Sequence, residues 1–80
     1  MWVRPRDHKI VGSSLAAARK RAGVTQKELA RRLRKPQSFV SDYERGQRRV
    51  DLIEFLLIVS ALKVDPHKLF AEIALARVHG

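Results

Sequence analysis

The spacing of the apolar residues limits the fold more than any other feature of this sequence. They recur three and four positions apart over most of the chain, as on one face of a helix, and no stretch sustains strand alternation. Glycine and proline number only seven, and each is expected near a helix end. The sequence therefore predicts an all-α fold, and 80 residues are enough for one small domain.

Caps and helix breakers divide the pattern into five predicted helices. The first runs from about residue 8 to 22, with Asp7 as a candidate N-cap and Gly23 as its stop. The second begins at Thr25, which has the spacing of a capping box with Glu28, and lasts about two turns.

The remaining three helices have equally clear starts. Pro36 is typical of a helix start and opens the third, which runs to about Glu44 before Gly46. The fourth, about 52–62, follows a carboxylate capping box, and the fifth runs from Pro66 to near residue 78. We expect the core to contain Val11, Leu15, Ala18, Ala22, Leu29, Ala30, Leu33, Val40, Tyr43, Leu52, Phe55, Leu56, Val59, Leu62, Leu69, Phe70 and Ile73.

The predicted domain spans residues 8–78, preceded by a basic arm at residues 1–7. The arm holds Trp2 among basic residues, so it either follows a nucleic-acid backbone or groove or is a disordered tail. Residues 1–50 hold 14 Lys and Arg against 4 Asp and Glu, whereas residues 51–80 hold 3 against 4. A basic half attracts polyanions, of which nucleic acid is the usual one, although acidic membranes and acidic proteins meet the same condition.

Several classes of protein are disfavoured by what the sequence lacks. It has no cysteine, its three histidines are scattered, and it has no nucleophile motif or glycine-rich phosphate loop. We therefore expect no enzyme, no metal, no cofactor and no small-molecule ligand. Without an apolar run of about 18 residues or a signal-peptide pattern, we expect no membrane span and a cytoplasmic, nucleoid-associated protein.

A sequence motif narrows the function further. Three segments lie at mutual distances typical of one family: Gly23-Val24-Thr25-Gln26-Lys27-Glu28-Leu29-Ala30, Ser38-Phe39-Val40-Ser41-Asp42-Tyr43-Glu44-Arg45-Gly46 and Ala61-Leu62-Lys63-Val64-Asp65. Over about residues 12–72 the chain resembles the Xre/Cro-type phage-repressor family. The resemblance implies a compact five-helix domain whose helices 2 and 3 form a helix-turn-helix that places helix 3 in the DNA major groove.

The resemblance also implies the roles of individual side chains. The expected base-reading residues are Gln37, Ser38, Ser41 and Asp42, which without the resemblance would be interpreted as an ordinary solvated helix face. Gln26 is expected to bond a phosphate and to brace Gln37. Asp42 either accepts a hydrogen bond from cytosine or pairs with Arg45 or Arg34. The expected phosphate-binding residues are Thr25, Gln26, Lys27, Gln47, Arg48 and Arg49.

Other positions concern the scaffold of the domain. Arg19 and Glu44 match the family's ion pair between helices 1 and 3. Arg34 and Lys63 stand where the family commonly has glycine, and each costs about 1 kcal/mol if the backbone there keeps a positive φ.

The fourth helix is apolar nearly all round, which suggests that it contacts more than its own core. An additional stripe of Ile53, Leu57 and Ala61 is predicted to form a dimer interface, unless helix 5 and the arm cover it in a monomer. The predicted function is sequence-specific binding of double-stranded DNA by a homodimer at a near-palindromic operator, with repression favoured over activation. The alternative is a protein-binding helix-turn-helix module such as an antitoxin or a coactivator adapter; a peripheral membrane protein anchored by Trp2 is set aside.

Overall fold

The computed structural model describes residues 4–79, which form five helices and no strand. These are α1 (Pro5–Arg21), α2 (Gln26–Leu33), α3 (Gln37–Glu44), α4 (Leu52–Leu62) and α5 (Pro66–His79). The predicted all-α class and the order of five helices are confirmed. None of these helices combines the length and the apolar character that a membrane crossing requires.

The start of α1 lies earlier than the sequence suggested. Arg4 is the N-cap, and Asp7, the predicted cap, is instead the third helical residue. The carboxylate of Asp7 accepts a 3.0 Å hydrogen bond from the backbone N–H of Arg4, which lowers the pKa of Asp7. The last three residues of the predicted arm are therefore helical, while Met1–Val3, including Trp2, lie outside the described residues.

The caps of α2 and α4 differ in completeness. At α4 both capping-box bonds form: Glu54 N–H to Asp51 Oδ1 at 2.8 Å, and Asp51 N–H to Glu54 Oε1 at 3.0 Å. At α2 the Thr25 hydroxyl accepts from Glu28 N–H at 3.0 Å, but the Glu28 carboxylate pairs with Arg31 and Arg32 instead of closing the box. The predicted capping box of α4 is confirmed, and only half of the one at α2 is present.

The predicted orientation of α4 is wrong in part. Leu52 and Leu56, placed in the core by the sequence, are 66% and 44% exposed, whereas Ile58 is fully buried. Phe70 of α5 and Ala22 after α1 are likewise exposed. The buried core consists of Leu15, Ala18, Val24, Leu29, Ala30, Val40, Tyr43, Phe55, Ile58, Val59, Leu62 and Leu69.

Gly12 allows α1 to cross α3 at very close range. It is buried in the middle of α1, contrary to the expectation that every glycine lies near a helix end. A Cβ atom there would lie 2.1 Å from the carbonyl oxygen of Tyr43 and 2.8 Å from that of Glu44. Only glycine fits this crossing, which fixes the C-terminal end of α3 against α1.

Two ion pairs attach α5 to α1. Arg77 Nε lies 3.3 Å from Asp7 Oδ1 near the start of α1, and Arg21 Nη2 lies 3.1 Å from Glu72 Oε2 near its end. The fifth helix therefore lies along α1 and leaves the outer face of α4 uncovered.

Candidate nucleic-acid interface

A tight turn joins α2 to α3. Arg34 ends α2 in the left-handed conformation, with φ 57° and ψ 43°, and Pro36 caps α3 with an extended backbone. The N–H of Lys35 donates to the carbonyl of Ala30 at 3.0 Å, which closes the end of α2. The backbone keeps a positive φ at Lys63 as well, where φ is 58°, so the condition for a strain cost is met at both positions.

A buried ion pair connects α1 to the end of α3. Arg19 donates from Nε to Glu44 Oε2 at 2.7 Å and from Nη2 to Oε1 at 3.1 Å. A third bond, at 2.9 Å, runs from Arg19 Nη1 to the carbonyl of Val24, just before α2. The two charged side chains are only 10% and 6% exposed, and the bonds to Glu44 raise the pKa of Arg19. The expected ion pair is therefore present, and it holds α1, α2 and α3 together.

The same carboxylate begins a chain of hydrogen bonds that reaches the protein surface. Glu44 Oε1 accepts from Gln26 Nε2 at 2.9 Å, and Gln26 Oε1 accepts from Gln37 Nε2 at 3.3 Å. Gln37 is the first residue of α3 and is exposed. The amide of Gln37 is thus held from one side while its carbonyl oxygen remains available as an acceptor.

The four predicted base-reading residues share the outer face of α3. Gln37 and Ser38 are exposed, and Ser41 and Asp42, one turn later, are half-buried. The hydroxyl of Ser41 donates to the carbonyl of Ser38 at 3.3 Å. Asp42 Oδ1 accepts from Arg45 Nη2 at 2.9 Å, so in the free protein the carboxylate is paired with Arg45.

The predicted phosphate-binding residues surround α3 but fall into two groups. Thr25, Lys27, Gln47 and Arg49 are exposed and Gln26 is half-buried, at the start of α2 and in the loop after α3. Arg48 differs from them: both of its terminal nitrogens donate to the carboxylate of Glu54. This pairing, which raises the pKa of Arg48, was not apparent from the sequence.

The predicted dimer residues lie on the uncovered side of α4. Ile53 is 64% and Leu57 57% exposed, and Ala61 is half-buried. Leu52 and Leu56 are also exposed on this helix. We call Leu52, Ile53, Leu56 and Leu57 the apolar face of α4. The monomer alternative needs helix 5 and the N-terminal arm to cover it; α5 does not, and Met1–Val3 of the arm lie outside the described residues.

A helix-turn-helix family model matches residues 15–69, more than half of the chain, from the second half of α1 into α5. An XRE-family-like protein from Pseudomonas syringae is 41% identical, with 88% of this chain and 85% of that one covered and a TM-score of 0.77. The chain belongs to the XRE-type helix-turn-helix family. It is therefore a DNA-binding transcription regulator of this type.

Two further solved structures resemble this XRE-type protein. The clp gene regulator ClgR from Corynebacterium glutamicum has a TM-score of 0.80 at 28% identity, over 85% of this chain and 88% of that one. The restriction-modification controller protein C.AhdI from Aeromonas hydrophila has a TM-score of 0.73 at 34% identity, over 80% and 97%. Curated protein sequences give no significant match.

Proposed function

We propose that this XRE-type regulator binds a specific near-palindromic operator as a homodimer and acts by repression rather than activation. The observation that carries the proposal is the hydrogen-bonded chain from Arg19 through Glu44 and Gln26 to Gln37. It holds an amide at the exposed start of α3, where a recognition helix meets base edges. A regulator bound to operator DNA is expected in the cytoplasm, at the nucleoid.

In this proposal the outer face of α3 reads the bases. Gln37 keeps an acceptor and a donor for adenine, and the two serines contact either partner of a base pair. On DNA, Arg45 leaves Asp42 and binds a phosphate, and the Asp42 carboxylate then accepts a hydrogen bond from a cytosine amino group. This exchange allows a carboxylate in the groove, because the repulsion between Asp42 and DNA is offset by the arginine beside it.

Phosphate contacts are assigned to exposed residues on both sides of α3 and to the half-buried Gln26. The start of α2 presents backbone N–H groups as well as Thr25, Gln26 and Lys27, and a helix N-terminus favours anions. On the other side of α3, Gln47 and Arg49 contact phosphates of the DNA backbone. These contacts orient the domain on DNA without reading its sequence.

Selection from random duplexes tests the DNA assignment. The wild type is expected to enrich a near-palindrome with half-sites about one helical turn apart. Gln37→Ala should relax the preference at one base position per half-site. As its control, Arg49→Ala should weaken all duplexes alike and lower the slope of log affinity against log salt by about one. Enrichment of no sequence by the wild type would contradict the proposal.

The homodimer is assigned to the apolar face of α4, with Ala61 at its edge. Four large apolar side chains are exposed on this helix. Soluble monomers rarely expose such a patch, and a dimer would remove it from water. Leu57→Glu should convert the dimer to a monomer in sedimentation analysis, whereas Leu75→Glu, at an exposed leucine on α5, should not. Unchanged sedimentation of Leu57→Glu would rule out this interface.

The second candidate function, a module that binds another protein, is favoured by the same apolar face. It predicts that the chain enriches no duplex, or that its binding to DNA does not depend on salt. It also predicts that Leu57→Glu abolishes binding of the protein partner. The salt series on the selected duplex distinguishes the two, because contacts to phosphate release counterions and contacts to an apolar partner do not.

A further inference from the structure

Arg48 is exposed like its neighbours in the loop after α3, with its side chain 41% accessible, but it makes contacts on two sides. Nη1 and Nη2 donate to Oε1 and Oε2 of Glu54 at 2.9 and 2.8 Å, and Nη1 also donates to the carbonyl of Arg49 at 2.7 Å. The guanidinium carbon lies 4.5 Å from the centre of the Phe39 ring. One side chain therefore connects the loop to α4 and to α3.

On the α3 side, the contact is made next to the candidate base-reading residues. Phe39 directly follows Ser38 and is half-buried. Its ring meets Tyr43 edge to face, with 5.6 Å between the centroids, and borders a small cavity shared with Leu57 of α4. The guanidinium is attracted to the face of this ring, so Arg48 stabilises the position of the N-terminal half of α3.

On the α4 side, the contact lies within the first turn of the proposed dimer helix. Glu54 stands between Ile53 and Leu57 in that helix, and its side chain is 22% exposed. The hydrogen bonds from Arg48 and from the backbone of Asp51 lower the pKa of Glu54. Since α3 packs mainly on α1 and α2, Arg48 gives it an attachment to α4.

We propose that Arg48 is a positioning residue that fixes the recognition helix relative to the dimer helix, and that it does not contact phosphate. This inference rests on the proposed function. In a dimer built on α4, the bridge from Glu54 through Arg48 to Phe39 sets the distance between the two copies of α3. Arg48 therefore governs how strictly the protein requires one spacing of the half-sites.

Removing the charge of Glu54 separates the two roles of Arg48 because they predict opposite signs. If Arg48 bound phosphate, Glu54→Gln would free the arginine and remove a repulsive carboxylate, so DNA affinity would rise. If Arg48 positions α3, the same substitution loosens α3 and specific affinity falls. Glutamine also serves at this position of a capping box, so the start of α4 is kept.

The experiment measures binding of wild type, Glu54→Gln, Arg48→Ala and their double variant to the selected duplex and to a scrambled one, over a salt series. For each variant we expect the affinity for the selected duplex to fall roughly fivefold to tenfold, which is less than the loss of one base contact. The affinity for the scrambled duplex should change by no more than about twofold. The double variant should lose no more than either single variant, and all salt slopes should equal the wild-type slope. Arg49→Ala, the matched control, should lower the slope by about one.

A second series uses duplexes whose half-sites are moved by one base pair. Wild type should discriminate against them more strongly than Glu54→Gln or Arg48→Ala does, and thermal unfolding shows that each variant is folded. Tighter binding by Glu54→Gln, or a slope lowered by about one in Arg48→Ala, would make Arg48 a phosphate contact and overturn the inference. If the wild type binds all duplexes equally, the proposed function is wrong, and the inference about Arg48, which rests on it, is wrong too.

Discussion

Replacing Gly12 by alanine tests the packing of α1 on α3 in a way that opposes helix propensity. Alanine is favoured over glycine in a helix interior by about 1 kcal/mol, so propensity alone predicts a more stable protein. In the structure the added Cβ would lie 2.1 Å from one backbone carbonyl oxygen, where ordinary contact begins at 3.4 Å. The two helices must therefore separate by about 1 Å across the core.

Overpacking of this kind costs about 1–3 kcal/mol, and the upper end applies because both obstacles at Gly12 are backbone atoms. After the gain in propensity, we expect a net loss of about 2 kcal/mol in the free energy of unfolding, or a melting temperature lower by about 10 °C. Urea denaturation of Gly12→Ala beside wild type measures this. The control is Ala17→Gly, at an exposed position of α1, which should cost about 1 kcal/mol from propensity alone. A Gly12→Ala protein as stable as wild type would refute the reasoning.

Four further substitutions test other parts of the scaffold. Arg34→Gly and Lys63→Gly should each stabilise the protein by about 0.5–1 kcal/mol in urea denaturation, because both positions have positive φ; equal or lower stability would contradict this. Arg19→Ala should cost about 3–5 kcal/mol in the same assay by leaving a buried carboxylate unpaired, and a loss below about 1 kcal/mol would mean that the pair is not structural. Hydrogen bonds from Arg31 and Arg32 lower the pKa of Glu28 from 4.5 to about 2. This carboxylate therefore stabilises the fold above pH 4.5 and loses that effect as the pH falls toward 2. Wild type should be more stable than Glu28→Gln at pH 6 and equal to it near about pH 2; a gap that does not close would contradict the sign.

Local signals and the family resemblance predicted the elements and much of the site. The capping box of Asp51 and Glu54 depends on residues three apart, so the sequence contains all the information that it needs. The resemblance supplied the ion pair of Arg19 with Glu44 and the brace of Gln26 on Gln37, which are far apart in sequence. Geometry confirms that these groups meet.

The orientation of α4 was not predictable from the same signals. Nearly every residue of this helix is apolar, so periodicity does not indicate which side is buried. Packing against α2 and α5 decides it, and buries Ile58 while exposing Leu52 and Leu56. Phe70 is 61% exposed although its ring meets that of the core residue Phe55 edge to face, because the core buries Leu69 of α5 instead.

Close approaches and specific pairings account for the other differences. Gly12 was expected near a helix end like the other glycines, because nothing local in the sequence shows that the backbone of α3 lies against this position. Arg48 appeared equivalent to Arg49, because charge alone does not distinguish a solvated arginine from one bound to a carboxylate. Only the fold brings Glu54 and Phe39 to opposite sides of Arg48.

We propose above all that α3 reads a DNA sequence. The most direct measurement is the ratio of wild-type affinities for the selected duplex and for a scrambled duplex of the same composition, at physiological salt. Base reading through Gln37 and its neighbours predicts a ratio of about 10³ or more, reduced by about five- to a hundredfold in Gln37→Ala. A ratio near one, or one that Gln37→Ala leaves unchanged, would contradict the claim.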